Sequence, residues 1–83
     1  MVAMYEHDII FFSLPLCPKC KVVAGHLEAI RRERPEISVR EANILTNIGL
    51  ARKHGLLTIP SLLVRGRPLR GVVTKEEIVE ALD

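Results

Sequence analysis

Ile9-Ile10-Phe11-Phe12-Ser13-Leu14-Pro15-Leu16-Cys17-Pro18-Lys19-Cys20 is the stretch on which the fold of this chain turns. Its opening apolar run, through Ser13, reads as a buried strand, because the apolar character is continuous rather than alternating. A short loop follows. Cys17 then opens an amphipathic stretch, so two thiols stand at the start of a helix. A helix N-terminus carries unpaired N–H groups and partial positive charge, and both stabilise a thiolate. Such positions lower a cysteine pKa toward or below neutrality, and the thiolate is the nucleophile of disulfide chemistry.

Helical spacing gives the two thiols different surroundings. Cys20, Val23, Leu27 and Ile30 form one apolar stripe, which faces the sheet. Cys20 belongs to that stripe. Cys17 precedes it, where the helix end is open to solvent. Cys17 is therefore expected to be the exposed attacking thiolate and Cys20 the partly buried resolving thiol. Pro18 falls in the first turn, where a missing N–H costs little and φ is pre-set. It stiffens the loop and tunes the redox balance. Lys19 adds a nearby positive charge that favours the thiolate, or is simply solvated.

Outward from this stretch the elements alternate. The helix runs from Cys17 to about Arg34 and ends near Pro35. Ile37 to Glu41 alternates apolar and polar, as a half-exposed strand does. Thr46 caps a short helix through His54, and Gly55 stops it. Ser61 to Val64 is a strand. Arg65-Gly66-Arg67-Pro68 is turn material leading to a strand at Leu69 to Val73. Thr74-Lys75-Glu76-Glu77 is a capping box that opens a final helix, with Ile78, Val79 and Leu82 on one face. The order β-α-β-α-β-β-α predicts an α/β fold: a four-stranded mixed sheet with helices on both faces. The first crossover is long enough for a right-handed parallel unit. The later strand pair is close enough for an antiparallel hairpin.

Composition bounds the function. The 83 residues read as one small domain, residues 1–83, with 48% hydrophobic and 27% charged residues. Aromatics are limited to Tyr5, Phe11 and Phe12, so the core rests on Ile, Leu and Val. A net charge of +2 and the lack of an aromatic-interleaved basic stripe argue against nucleic acid. Arginines cluster at Arg31, Arg32 and Arg34 and at Arg65, Arg67 and Arg70; they read as solvated surfaces or as a docking face for an acidic partner. Two cysteines are too few for a secreted disulfide scaffold. No apolar run approaches the ~18 residues of a membrane span. Glu6 and Asp8 precede the first apolar segment, which does not read as a signal peptide. The cytoplasm is the expected compartment, and a monomer the expected state.

A C-x-x-C pair also occurs in zinc sites, which usually need four ligands. The other candidates, His7, His26 and His54, form no second ligand pair, so no metal and no cofactor are expected. Thr58-Ile59-Pro60 precedes the strand at Ser61. A proline is tolerated at a strand entry, where either a trans or a cis X-Pro bond is possible.

These features together resemble the thioredoxin/glutaredoxin superfamily. The resemblance rests on Cys17-Pro18-Lys19-Cys20 after a buried strand, on Leu50 to Val64 with Thr58-Ile59-Pro60 inside it, on the turn around Gly66 and on Gly71 in the last strand. It spans Ile9 to Leu82. It implies a thioredoxin-like fold of glutaredoxin-like size, with Pro60 cis beside the two cysteines. A proline there bars metal from the dithiol. The Ile59 backbone would bind an extended substrate segment by antiparallel hydrogen bonds. Thr58, Ile59 and Pro60 are thus expected substrate-binding residues, and Cys17 and Cys20 the catalytic pair.

The chain also departs from the family pattern. Leu16 stands where thioredoxins usually carry Trp. Phe11 stands where they bury an Asp that assists the resolving thiol, so proton transfer from Cys20 must use water or another group. Leu14 replaces a Lys common in glutaredoxins. Gly71-Val72-Val73-Thr74-Lys75 lacks the acidic residues that hold glutathione. The resemblance implies a dithiol–disulfide oxidoreductase acting on protein disulfides, with a reductase or a low-molecular-weight thiol as electron donor. The alternatives are a thioredoxin-like adaptor that docks through its arginines, and a metal or iron–sulfur module in which two chains share a site.

Overall fold

A parallel pair of strands joined by one long helix forms the frame of the computed structural model, which describes residues 7–83. The reading of the first residues, Glu6 among them, as free of an export signal lies outside that range. β1 (Ile9–Ser13) is followed by α1 (Pro18–Glu33) and β2 (Val39–Asn43), and β1 and β2 pair in parallel with Phe11 opposite Glu41. α2 (Ile48–Lys53), β3 (Ser61–Val64), β4 (Arg67–Arg70) and α3 (Lys75–Leu82) complete the chain. The sheet order is β2-β1-β3-β4, with β3 antiparallel to both β1 and β4. The mixed four-stranded sheet and its element order are those expected from the sequence.

Two cores lie on opposite faces of the sheet. One joins Ile9, Phe11, Leu62 and Val64 to the α1 stripe Cys20, Val23, Leu27 and Ile30 and to Ile78 and Leu82 of α3. The other joins Phe12, Ala42 and Leu63 to Ala51 of α2 and to Leu56. Adjacent residues Phe11 and Phe12 thus serve different cores, as strand alternation requires. This explains why β1 reads as continuously apolar: both of its faces are covered.

Local chemistry sets the helix ends. The Thr74 hydroxyl accepts the Glu77 N–H and the Glu77 carboxylate accepts the Thr74 N–H, which is the capping box read from the sequence. Arg31 and Arg32 sit in the last turn of α1, where the helix dipole favours cations. Gly55, at φ +70°, ends α2: its N–H donates to the Arg52 carbonyl and the next N–H, of Leu56, reaches the Ala51 carbonyl. That double bond is the Schellman arrangement, and it buries Leu56 beside Ala51.

Three boundaries differ from expectation. The second strand is Val39–Asn43 rather than 37–41, because Ile37 belongs to the core below the strand and Ser38 holds Asp8. Asn47, not Thr46, precedes α2; the Thr46 hydroxyl donates instead to the Asn43 carbonyl. The hairpin turn is only Arg65-Gly66, both at positive φ (47° and 84°), so the fourth strand is Arg67–Arg70 rather than 69–73: it includes Pro68 and stops before Gly71, at φ +81°. Two consecutive left-handed residues match strand twist in a tight hairpin. Pro68 is accommodated because β4 is an edge strand. Among the described residues no helix is long and apolar enough to cross a membrane.

Asp8 ties three segments together. Its carboxylate accepts from the Ser38 N–H (3.0 Å) and from Arg65 Nε (3.0 Å), while Arg65 Nη1 donates to the Leu82 carbonyl (2.7 Å). The Ser38 N–H, with Arg65 adding to it, holds the Asp8 carboxyl below its ordinary range. A depressed acid contributes stability above its unfolded pKa and loses it as pH falls through the folded value. Asp8→Asn should therefore destabilise the protein at pH 7 by about 1 kcal/mol. The difference from wild type should shrink as pH falls below the ordinary Asp range and through the lowered folded value, where the native carboxyl is neutralised. Denaturant titrations at several pH values check this; a pH-independent difference would contradict it.

Candidate functional site

The site begins where β1 ends. Phe12 lies opposite Ser61 in the antiparallel register, so the segment after Phe12 and the segment before Ser61 leave the sheet at the same end. The first segment carries Cys17 and Cys20, the second Thr58, Ile59 and Pro60. Cys17 and Ile59 both pack against the core that contains Cys20. Pro60 is fully buried, and its carbonyl accepts the Gly71 N–H at 2.9 Å. The Ile59–Pro60 peptide bond is cis. Thr58 is exposed and Ile59 half-buried. Among the described residues, the backbone N–H and C=O groups of Thr58 and Ile59 make no internal backbone hydrogen bond.

Cys17 is the N-cap of α1. Its backbone is extended, and its sulfur accepts the Cys20 N–H at 3.2 Å. Sulfur here takes the role that Ser, Thr or Asp takes at most helix starts. Pro18 follows at the first helical position, where no N–H is required. Leu16 reaches the cap through a left-handed backbone (φ 63°), and its side chain is 91% exposed beside Cys17. That conformation is uncommon outside glycine. Nothing in the residue type signals it.

The two sulfurs are electrostatically unlike. The Cys17 thiol is pulled below its ordinary range, first by hydrogen bonding from the Cys20 side chain, then by the N–H groups of Cys20 and Lys19 and by the Lys19 charge. Cys20 is 4% exposed. Burial pushes its thiol up, and the neighbouring Cys17 adds to the rise. A buried thiol resists ionisation because the thiolate loses its hydration. The expected split between an accessible and a buried thiol is thus present in the geometry. Both cysteines are free thiols.

A cleft of about 180 Å³ opens beside the pair. Phe11 and Ser13 of β1, the Leu14-Pro15-Leu16 loop, Cys17, Cys20, Lys21 and Ala24 of α1, and Glu41 of β2 line it. Glu41 was expected only as a strand residue. Its place in the cleft follows from the parallel register with Phe11, which period-two alternation hints at and sequence alone does not establish. Lys19 is exposed and does not line the cleft.

The arginines divide. Arg65 is engaged with Asp8 and Leu82, and Arg70 Nε donates to the Gly55 carbonyl at 3.1 Å, while Arg67 is exposed. Two of the three are thus employed in holding the fold. Among the described residues, no group of three or more His, Cys, Asp or Glu side chains stands together as metal ligands do.

Cysteine alkylation should report the asymmetry directly. With limiting iodoacetamide near pH 7, Cys17 should be modified at least about tenfold faster than Cys20, because only the thiolate reacts. Peptide mass spectrometry reads the ratio; equal modification would contradict the assignment.

No family model matches the chain. It is similar to a thioredoxin of Methanocaldococcus jannaschii, at 30% identity over 81 residues that cover 95% of each chain.

Proposed function

Since the chain belongs to the thioredoxin family, we propose that it is a dithiol–disulfide oxidoreductase that reduces protein disulfides through Cys17 and Cys20. The observation that carries this reading is the N-cap geometry: one accessible sulfur whose thiol is pulled below its ordinary range at a helix start, 3.2 Å from the backbone N–H of its buried partner residue.

The chemistry runs in two displacements. The Cys17 thiolate attacks one sulfur of a substrate disulfide in line. The substrate S–S bond breaks, its electron pair leaves with the distal sulfur, and a mixed disulfide joins Cys17 to the substrate. Cys20 then loses its proton and attacks Cys17 Sγ. The substrate sulfur departs with the second electron pair, and a Cys17–Cys20 disulfide remains. The protein has lost two electrons and the substrate has gained them. A reductase or a low-molecular-weight thiol of the cell returns them, which suits a cytoplasmic setting.

Substrate binding falls to Thr58 and Ile59, whose backbone groups make no internal backbone hydrogen bond among the described residues. An extended peptide lying antiparallel to Ile59 would satisfy those N–H and C=O groups and set its disulfide over Cys17, with cis Pro60 supporting the platform from beneath. Pro18 and Lys19 tune the pair: the first fixes the start of α1 and the second contributes charge and an N–H to the Cys17 thiolate. The stretch Gly71 to Lys75 presents no carboxylates of the kind that hold glutathione, which favours protein over glutathione-linked substrates.

Insulin reduction with dithiothreitol as donor tests the proposal. Cys17→Ser should lower the rate by at least about a hundredfold, to the level of dithiothreitol alone. Cys20→Ser should retain the first displacement and accumulate a covalent complex with substrate, visible on a non-reducing gel and lost on reduction. Full insulin reduction by Cys17→Ser would refute the assignment.

A further inference from the structure

Cys20 is buried and must lose a proton before it can attack, yet Phe11 of β1, in the same core, offers no acceptor: it is apolar and only 2% exposed. Among the described residues, the cleft beside Cys20 is lined by a single carboxylate, that of Glu41. Building on the dithiol reaction above, we propose that Glu41 accepts the Cys20 proton through water in this cleft during the second displacement.

The argument is one of placement. β2 pairs with β1 in parallel, and Glu41 stands opposite Phe11. Alternation along β2 puts Val39 and Glu41 on the α1 side and Ala42 in the core on the other side. Because β2 is an edge strand, Glu41 meets solvent while still lining the cleft that reaches Cys17 and Cys20. The cleft has room for several water molecules, each of about 30 Å³. The same side chain also borders the adjoining groove with Ala24, Leu27, Glu28 and Arg31. The titratable and charged groups around Glu41 are thus Lys21, Glu28 and Arg31 of α1 and the two thiols; β1 contributes none.

The step balances without an added co-reactant. The Cys20 proton passes to water and from that water a proton passes to Glu41. The Cys20 sulfur bonds to Cys17 Sγ as the Cys17–substrate bond breaks. The departing substrate sulfur carries the electron pair and takes up a proton from solvent or from Glu41, which returns to the carboxylate.

Charge and proton-acceptor roles predict opposite effects. A carboxylate near a thiol raises the thiol's pKa, so a purely electrostatic Glu41 would slow ionisation of Cys20, and its removal would speed the second displacement. A proton acceptor has the reverse effect. Stopped-flow reaction with the coloured disulfide dithiobis(nitrobenzoate) separates the steps: Cys17 releases one coloured thiolate and Cys20 releases the second. In Glu41→Gln the first phase should persist while the second slows about tenfold or more. Between about pH 6 and pH 8 the wild-type second phase should rise weakly, and that of the variant by about tenfold per pH unit, as hydroxide takes over. An altered fold would disturb both phases and would not create that pH slope. A variant second phase that is unchanged or faster overturns the role of Glu41 alone. A wild-type protein that releases one coloured thiolate and forms no internal disulfide overturns the dithiol reading as well.

Discussion

The packing of the α1 stripe onto β1 is the contact from which the rest of the molecule follows. Val23, Leu27 and Ile30 are nearly inaccessible to solvent, and they share a core with Ile9 and Phe11. Burial of side chains of this size stabilises by roughly 1.5–3 kcal/mol each. Because Cys20 lies one turn before Val23 on the same stripe, the helix cannot dock without burying that thiol. Cys17, three residues earlier, is left at the helix mouth. The difference in burial between the cysteines is therefore a by-product of helical periodicity acting on a core that must form in any case.

The opposite face of the sheet has a separate task. Phe12, Ala42 and Leu63 hold α2, and the Schellman end of α2 delivers Leu56 into the same core. From Leu56 the chain has only Leu57 and Thr58 before Ile59, which packs against both cores. The segment from Leu57 to Pro60 is thus anchored at both ends, by Leu56 behind it and by Ser61 in the sheet ahead. Its position is held by side chains of both cores, Ile59 among them.

How legible this was depends on the range of the interaction involved. The α1 stripe, the Thr74–Glu77 capping box and the Gly55 stop were readable because each is a pattern confined to one or two helical turns. The bounds of β2 and β4 were not. Ile37 is apolar and looked like strand, but it packs beneath the sheet, and Ser38 is taken by Asp8 across thirty residues of chain. Pro68 looked like a breaker, and only the outer position of β4 makes it harmless. In the site, the two thiols were evident from spacing, whereas cis Pro60 became an expectation only through family resemblance. The place of Glu41 in the cleft depends on which residue it faces across a parallel pair. That is tertiary information.

The cap at Cys17 has a thermodynamic side. A sulfur that accepts the Cys20 N–H and is favoured by the surrounding N–H groups and charge is most stabilised as the free thiolate. In a disulfide the same atom is neutral and a poorer acceptor. Every donor that stabilises the Cys17 thiolate therefore also weights the equilibrium toward the dithiol, making a disulfide form the readier oxidant. Kinetic readiness and reducing power are set against each other by one hydrogen-bonded atom, and the first turn of α1 is where that compromise is struck.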